Sequence, residues 1–244
     1  MVESADMTYG TGVHGSATPG SRRPLRLVWL ILGLALLLDI GLGWRLYQSQ
    51  ASPPPSDPPG VRTFAPPEPA PYFQLADQNG QPFTQESLKG HWTLMLFGYT
   101  NCPDFCPTTL AALNNLYHRL KISAPKLAAD TQVVFVSVDP FRDTRPVLGA
   151  FVAQFNPRFV AATGAPEQLR RLTTPLGAAY DYADLVSGEP LNDGSRRPLQ
   201  AYAVDHAAGL YIFDPHANNV AWILPPHTPE RLATAYQFIR RNYD

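Results

Sequence analysis

Hydrophobic and polar positions follow four different rhythms along the chain. Residues 1–24 show no apolar period: Gly10, Gly12, Gly15, Ser16, Gly20 and Ser21 punctuate a stretch with nothing to bury, which reads as a disordered tail. From Leu27 to Trp44 the chain is almost wholly apolar for 18 residues, the length at which such a run reads as a membrane-spanning helix. With its flanks, a single transmembrane anchor is expected over 25–45. Asp39 is the acid inside it, toward the far end, where it costs less than the roughly 2.5–3.5 kcal/mol of the bilayer centre. Over 46–71 the apolar run gives way to proline, nine of them between Pro53 and Pro71, which predicts a semi-rigid polyproline spacer. Residues 72–244 then carry the alternating pattern of one folded domain.

Within that domain, Tyr72–Leu75 and Gln81–Thr84 flank Asp77-Gln78-Asn79-Gly80, whose Asn-Gly pair predicts a hairpin. Trp92–Phe97 and Val133–Val138 are near-continuous apolar runs of the kind found in a parallel sheet covered on both faces. Helical spacing follows each of them, over Pro107–Leu120 and Pro146–Phe155. Further strands are expected at Phe159–Ala161, Tyr180–Ala183, Ala201–Val204, Gly209–Phe213 and Val220–Leu224. Helices are expected at Pro166–Leu176 and Pro229–Arg241, and Asp184–Pro198 reads as a polar surface insertion. The fold class is α/β.

Charge adds orientation and excludes one class of partner. Arg22, Arg23 and Arg26 flank the near end of the apolar run against Arg45 at the far end, so the tail is expected in the cytoplasm and the domain outside it. A cleaved signal peptide is the competing reading, because Ser49-Gln50-Ala51 has the small-x-small form of a cleavage site. Either way the domain is exported. The net charge of −1 offers no field to gather phosphates, and nucleic acid is not an expected partner.

The two cysteines are too few for a disulfide scaffold, and both fall in Cys102-Pro103-Asp104-Phe105-Cys106-Pro107, at a strand-to-helix junction. Pro107 disfavours helical geometry at Cys106 and favours the first helical position, which places Cys106 at or near the N-cap. There its thiolate is expected to gain from the positive helix end. Two soft thiolates suit copper or zinc, a structural zinc wants four protein ligands, and copper accepts fewer. An imidazole is the natural third ligand. Of the six histidines, His206 stands out, because it follows the strand Ala201–Val204 in a loop able to fold over the sheet end. Asp139, at the carboxyl end of Val133–Val138, is expected near the thiols, since functional groups in parallel α/β sheets gather there. On spacing alone a plain structural disulfide and a turn aspartate read the same segments as well, and a single histidine between strands is more often a capping or solvated residue than a ligand.

FGYTNCPDFCPTTL, VSVDPFRDT and YAVDHAAGLYIFDP together resemble the three signature segments of the Sco/SenC family, and the likeness covers Tyr72–Tyr243. The resemblance implies a thioredoxin-like domain over 72–244 behind a single N-terminal transmembrane helix. It implies copper as the metal, with Cys102, Cys106 and His206 as ligands and Asp139 as a supporting residue. It also implies a metallochaperone role in assembling the CuA centre of cytochrome c oxidase, with the CuA-bearing subunit or another copper acceptor as partner. The corresponding location is a single-pass protein of the inner membrane with its domain in the periplasm or an equivalent exported space. The alternative is a thiol:disulfide reductase in which Cys102 and Cys106 cycle to keep the acceptor's cysteines reduced; a non-enzymatic role is the first expectation. Ala207, where serine is expected, and the polar stretch Asp184–Pro198 depart from the family pattern.

Overall fold

The structure is a computed structural model that describes residues 23–49, 57–185, 190–191 and 202–243. It divides into two units, 1–56 and 57–244. In the first, helix α1 runs Arg23–Ser49 and contains the 18-residue apolar window Val28–Arg45, long and apolar enough to cross a membrane. Its large side chains, Trp29, Leu30 and Leu37 among them, are exposed. The expected tail falls on residues that, apart from the first helical positions, lie outside the described ones.

The second unit is built on an eight-stranded sheet. Its elements in chain order are β1 (Val61–Pro69), β2 (Gln74–Asp77), β3 (Pro82–Thr84), β4 (Trp92–Gly98), α2 (Phe105–Ser123), α3 (Pro125–Ala129) and β5 (Thr131–Ser137). These are followed by α4 (Arg145–Ala153), β6 (Val160–Thr163), α5 (Pro166–Thr173), β7 (Tyr180–Asp184), β8 (Pro190–Leu191) and β9 (Tyr202–His206). The chain closes with β10 (Leu210–Phe213), β11 (Asn218–Ile223) and α6 (Pro229–Tyr243). The spatial order is β1-β11-β10-β4-β5-β6-β2-β3, with β4, β5 and β6 parallel and β10 antiparallel to β4.

The central strands alternate strictly between two cores. Leu94, Leu96, Val133 and Phe135 face the side packed by α2, α4 and α6, while Met95, Phe97, Val134 and Val136 face α5, β7 and β9. All eight are essentially solvent-free, which is why these runs read as continuously apolar. Each such side chain contributes roughly 1.5–3 kcal/mol by leaving water, so the carboxyl ends of β4 and β5 rest on the stiffest part of the molecule.

Two expectations are corrected. The proline-rich stretch 46–71 is not spacer throughout: Val61–Pro69 pairs antiparallel with β11, Val61 opposite Ile223 and Glu68 opposite Asn219, with a register shift between Thr63 and Glu68. Prolines are tolerated because β1 is an edge strand, whose outward N–H groups no neighbour needs. Phe64 and Arg62 pack on Trp222, and the Tyr243 hydroxyl donates to the Phe64 carbonyl at 2.7 Å. The polar insertion also contributes structure, since Pro190–Leu191 pairs with β7; most of its remainder lies outside the described residues. β7, β8 and β9 form a separate three-stranded sheet, in the order β8-β7-β9. The Asn79-Gly80 turn is as expected, joining β2 to β3 with Gly80 at φ 81°.

Candidate metal centre

β4 ends at Gly98, whose carbonyl accepts from the Val138 amide at 2.9 Å. The chain then turns through Tyr99–Asp104 into α2. Asp143, fully buried, holds this turn: it accepts from the Thr100 amide at 2.8 Å, the Thr100 hydroxyl at 2.6 Å and the Ser137 hydroxyl at 2.5 Å. Gly98 is required for a different reason. A Cβ there would collide with Cys106 Sγ and with the Phe135 ring.

The helix begins earlier than Pro107 suggests. Asp104 is the N-cap, Phe105 the first helical residue, and Pro107 sits within the first turn, where its missing N–H has no partner to lose. The Thr108 hydroxyl donates back to Asp104 Oδ1 at 3.1 Å. This shift points Cys106 inward, to 0% exposure against the α2 core, and leaves Cys102 partly exposed at the rim. The Cys106 amide donates to Cys102 Sγ at 3.4 Å. Both thiols are free.

His206 is a strand residue rather than a loop residue. It ends β9, paired with Tyr180 across the β7–β9 ladder, and its Nε2 lies 3.8 Å from Cys106 Sγ. Its Nδ1 lies 3.1 Å from the Ala207 carbonyl, placed to donate there and so to leave the Nε2 lone pair facing the thiols. Tyr99 and Phe105 flank the ring, each with its centroid 5.9 Å away. The donor atoms of Cys102, Cys106 and His206 all lie within 4.8 Å of one another. Sulfur and nitrogen bonded to one ion at roughly 2.3 and 2.0 Å sit less than about 4.3 Å apart. The Cys106–His206 separation already meets that limit, and the group can bind copper.

The expected supporting residue, Asp139, is held by partners of its own. Asp139 is fully buried, but its carboxylate accepts from Arg142 Nε at 2.5 Å and from the Tyr202 hydroxyl at 2.6 Å. Asp143, which sequence reasoning passed over although it stands in the same VSVDPFRDT segment, is the acid coupled to the cysteine loop. His227, another candidate, is engaged in the core: its Nδ1 meets the Thr109 hydroxyl at 3.1 Å and its Nε2 the Ile223 carbonyl at 3.0 Å. Burial also lowers its pKa. His91, His118 and His216 are exposed and outside this cluster.

The two thiols differ electrostatically, in the opposite sense to the N-cap argument. Cys102 is lowered to about 4, chiefly because the Cys106 thiol donates to it; His206 and the backbone amides of Cys106 and Asp104 add to this against partial burial. Cys106 is raised, because it is that donor and because it is buried beside the Cys102 charge. The helix start does favour a thiolate, but the rim sulfur receives the N–H groups.

Fold and site together define a thioredoxin-like α/β domain carrying a cysteine-cysteine-histidine metal-binding group. The family model described as SCO1/SenC matches residues 63–239, and the chain belongs to that family. It is similar to the SCO2-like protein of Rickettsia prowazekii, 34% identical over 145 residues that cover 58% of this chain and 62% of that protein. It is also similar to the mitochondrial SCO2 homolog of Mus musculus, 35% identical over 143 residues, 59% of this chain and 51% of that one. The matched stretch thus spans less than two thirds of these relatives. Among solved structures, copper-bound ScoI of Arabidopsis thaliana superimposes with TM-score 0.61 at 28% identity, covering 71% of this chain and 99% of that one. Copper-bound ScoI of Bradyrhizobium japonicum gives 0.56 at 31% identity, covering 71% and 98%.

The thiol asymmetry is open to test. In the reduced, metal-free domain, iodoacetamide at pH 6 is expected to label Cys102 first and Cys106 only slowly, as read by peptide mass mapping. Preferential labelling of Cys106 would contradict the assignment.

Proposed function

We propose that this chain is a membrane-anchored copper-binding assembly factor that carries copper on Cys102, Cys106 and His206 and delivers it to the CuA-bearing subunit of cytochrome c oxidase. The observation that carries the reading is the convergence of the three donor atoms within 4.8 Å at the carboxyl end of the parallel strands. Copper in the similar ScoI structures supports the metal, and the family likeness supports the acceptor.

The geometry suits a cargo held and then released. Two thiolates are the soft ligands that Cu(I) favours, and the imidazole supplies the nitrogen donor that Cu(II) needs. Cys102 is the partly exposed ligand, so an incoming acceptor thiolate reaches copper from its side while buried Cys106 retains its hold. Copper moves by exchange of one sulfur ligand for another, with no change in its electron count.

Thiol:disulfide reduction is the second reading, and one observation favours it. A rim cysteine lowered to about 4 beside a buried partner is arranged as an attacking thiolate with a resolving thiol. Cys102 would attack an acceptor disulfide and release one acceptor thiolate. Cys106 would then displace the second, leaving this domain oxidised by two electrons until an external dithiol restores it.

His206→Ala separates the two readings. For a copper carrier, Cu(I) binding is expected to survive on two thiolates, while Cu(II) affinity falls by more than about 100-fold, the scale of losing one of three ligands. For a reductase, disulfide exchange with an acceptor peptide is the property that matters, and it is expected to change only through the modest share of His206 in holding Cys102 ionised. Unchanged Cu(II) binding would overturn the ligand assignment.

The anchor is α1, with the domain on the exported side and a periplasmic or equivalent location, a reading supported by Arg22, Arg23 and Arg26 against Arg45. Reporter fusions after Gly60 are expected to be active only outside the cytoplasm. Activity in the cytoplasm would reverse the orientation, and a mature chain beginning near Ser52 would replace the anchor by a cleaved signal.

A further inference from the structure

Among the described residues, the segment between β5 and α4, Asp139-Pro140-Phe141-Arg142-Asp143, grips both segments that carry the thiols and the imidazole by hydrogen bonds to their neighbours. At one end Asp143 holds Thr100, two positions before Cys102, through both its amide and its hydroxyl. At the other end Asp139 accepts from the Tyr202 hydroxyl at 2.6 Å, at the start of the strand that ends in His206. The two residues are tied together: the Asp143 amide donates to the Asp139 carbonyl at 3.0 Å, and the Ser137 hydroxyl donates to the Asp143 carboxylate and accepts from the Asp139 amide.

Arg142 joins these grips to the imidazole. Its Nε donates to Asp139, its Nη1 donates to the Tyr202 carbonyl at 3.0 Å, and its guanidinium lies 3.8 Å from the centroid of the Tyr202 ring. The same guanidinium is 5.7 Å from the ring of Tyr99, and the Tyr99 and His206 rings meet in a T-shape at 84°. A planar cation that forks onto a carboxylate and a carbonyl while stacking on an aromatic ring is a role lysine cannot fill.

We propose that Asp139–Asp143 is a brace that sets the separation of His206 from the two cysteines, with Arg142 as its positioning residue. The brace acts on the imidazole side through Arg142, Tyr202 and Tyr99, and on the thiol side through Asp143 and Thr100. Loosening Arg142 frees His206 while leaving the thiols in place, so the nitrogen-dependent Cu(II) state suffers and the sulfur-dependent Cu(I) state does not. Only this consequence for copper rests on the function proposed above; the brace itself is a property of the metal-free domain.

Arg142→Lys tests the proposal, because it keeps a cation beside buried Asp139 and removes the fork and the stack. In the reduced, metal-free domain it is expected to weaken the proton cross-relaxation between the Tyr99 and His206 rings, with the amide spectrum of the central strands unchanged. Cu(II) affinity is expected to fall roughly 10–100-fold, the range for partners that orient a ligand, with Cu(I) affinity within about twofold of the native value. Retained ring cross-relaxation with native Cu(II) affinity would overturn the brace, and so would an equal fall for both valences. Should Arg142→Lys fail to fold, Tyr202→Phe removes only the hydroxyl on Asp139 and is expected to move the same two readouts in the same direction; no movement would overturn the proposal. Loss of the ring contact in a domain whose native form binds no copper would uphold the brace and overturn the copper reading.

Discussion

The antiparallel ladder between β7 and β9 brings a histidine 100 positions along the chain to within 3.8 Å of Cys106. That pairing holds Tyr180 opposite His206, Tyr182 opposite Val204 and Asp184 opposite Tyr202. It is a short ladder outside the main sheet, so it needs anchoring. Tyr182 supplies one anchor by donating to the Val138 carbonyl at 2.6 Å, and Tyr202 supplies another on Asp139. Both anchors land just past the end of β5, a central strand packed between the two cores. The imidazole is therefore positioned against the stiff centre of the fold, although the strand that carries it belongs to the smaller sheet.

The thiols gain their chemistry from a difference in depth. Had Pro107 started the helix, both sulfurs would have shared its positive end. Beginning at Phe105 instead turns Cys106 into the core, where its thiol is a donor, and leaves Cys102 to collect the N–H groups and the partial exposure. One sulfur is thus suited to retention and the other to exchange, which is useful to a carrier that must both hold and yield a soft metal.

Much of this was legible in the sequence, for local reasons. Continuous apolar runs marked β4 and β5 because a doubly covered strand has no polar face to show. The paired cysteines and their place at a strand-to-helix junction were readable from spacing, and His206 stood out by its position after a strand, with the Sco/SenC likeness implying it as a ligand. What was not legible depends on tertiary neighbours. The prolines of Val61–Pro69 look like spacer until an edge position excuses their missing donors. The acidity of Cys102 over Cys106 follows from which sulfur is buried, and Pro107 alone cannot report that. Asp139 was expected near the thiols because functional groups gather where parallel strands end; that Arg142 and Tyr202 hold its carboxylate, and that Asp143 binds the cysteine loop, depends on neighbours spacing cannot show.

In the proposed centre one copper ion is held by two sulfurs and one imidazole nitrogen. X-ray absorption at the copper edge of the thiol-reduced domain loaded with Cu(II) measures that shell directly. Two sulfur scatterers and one nitrogen with the outer-shell signature of an imidazole ring are expected. A shell of sulfur alone, or of nitrogen and oxygen without sulfur, would contradict it.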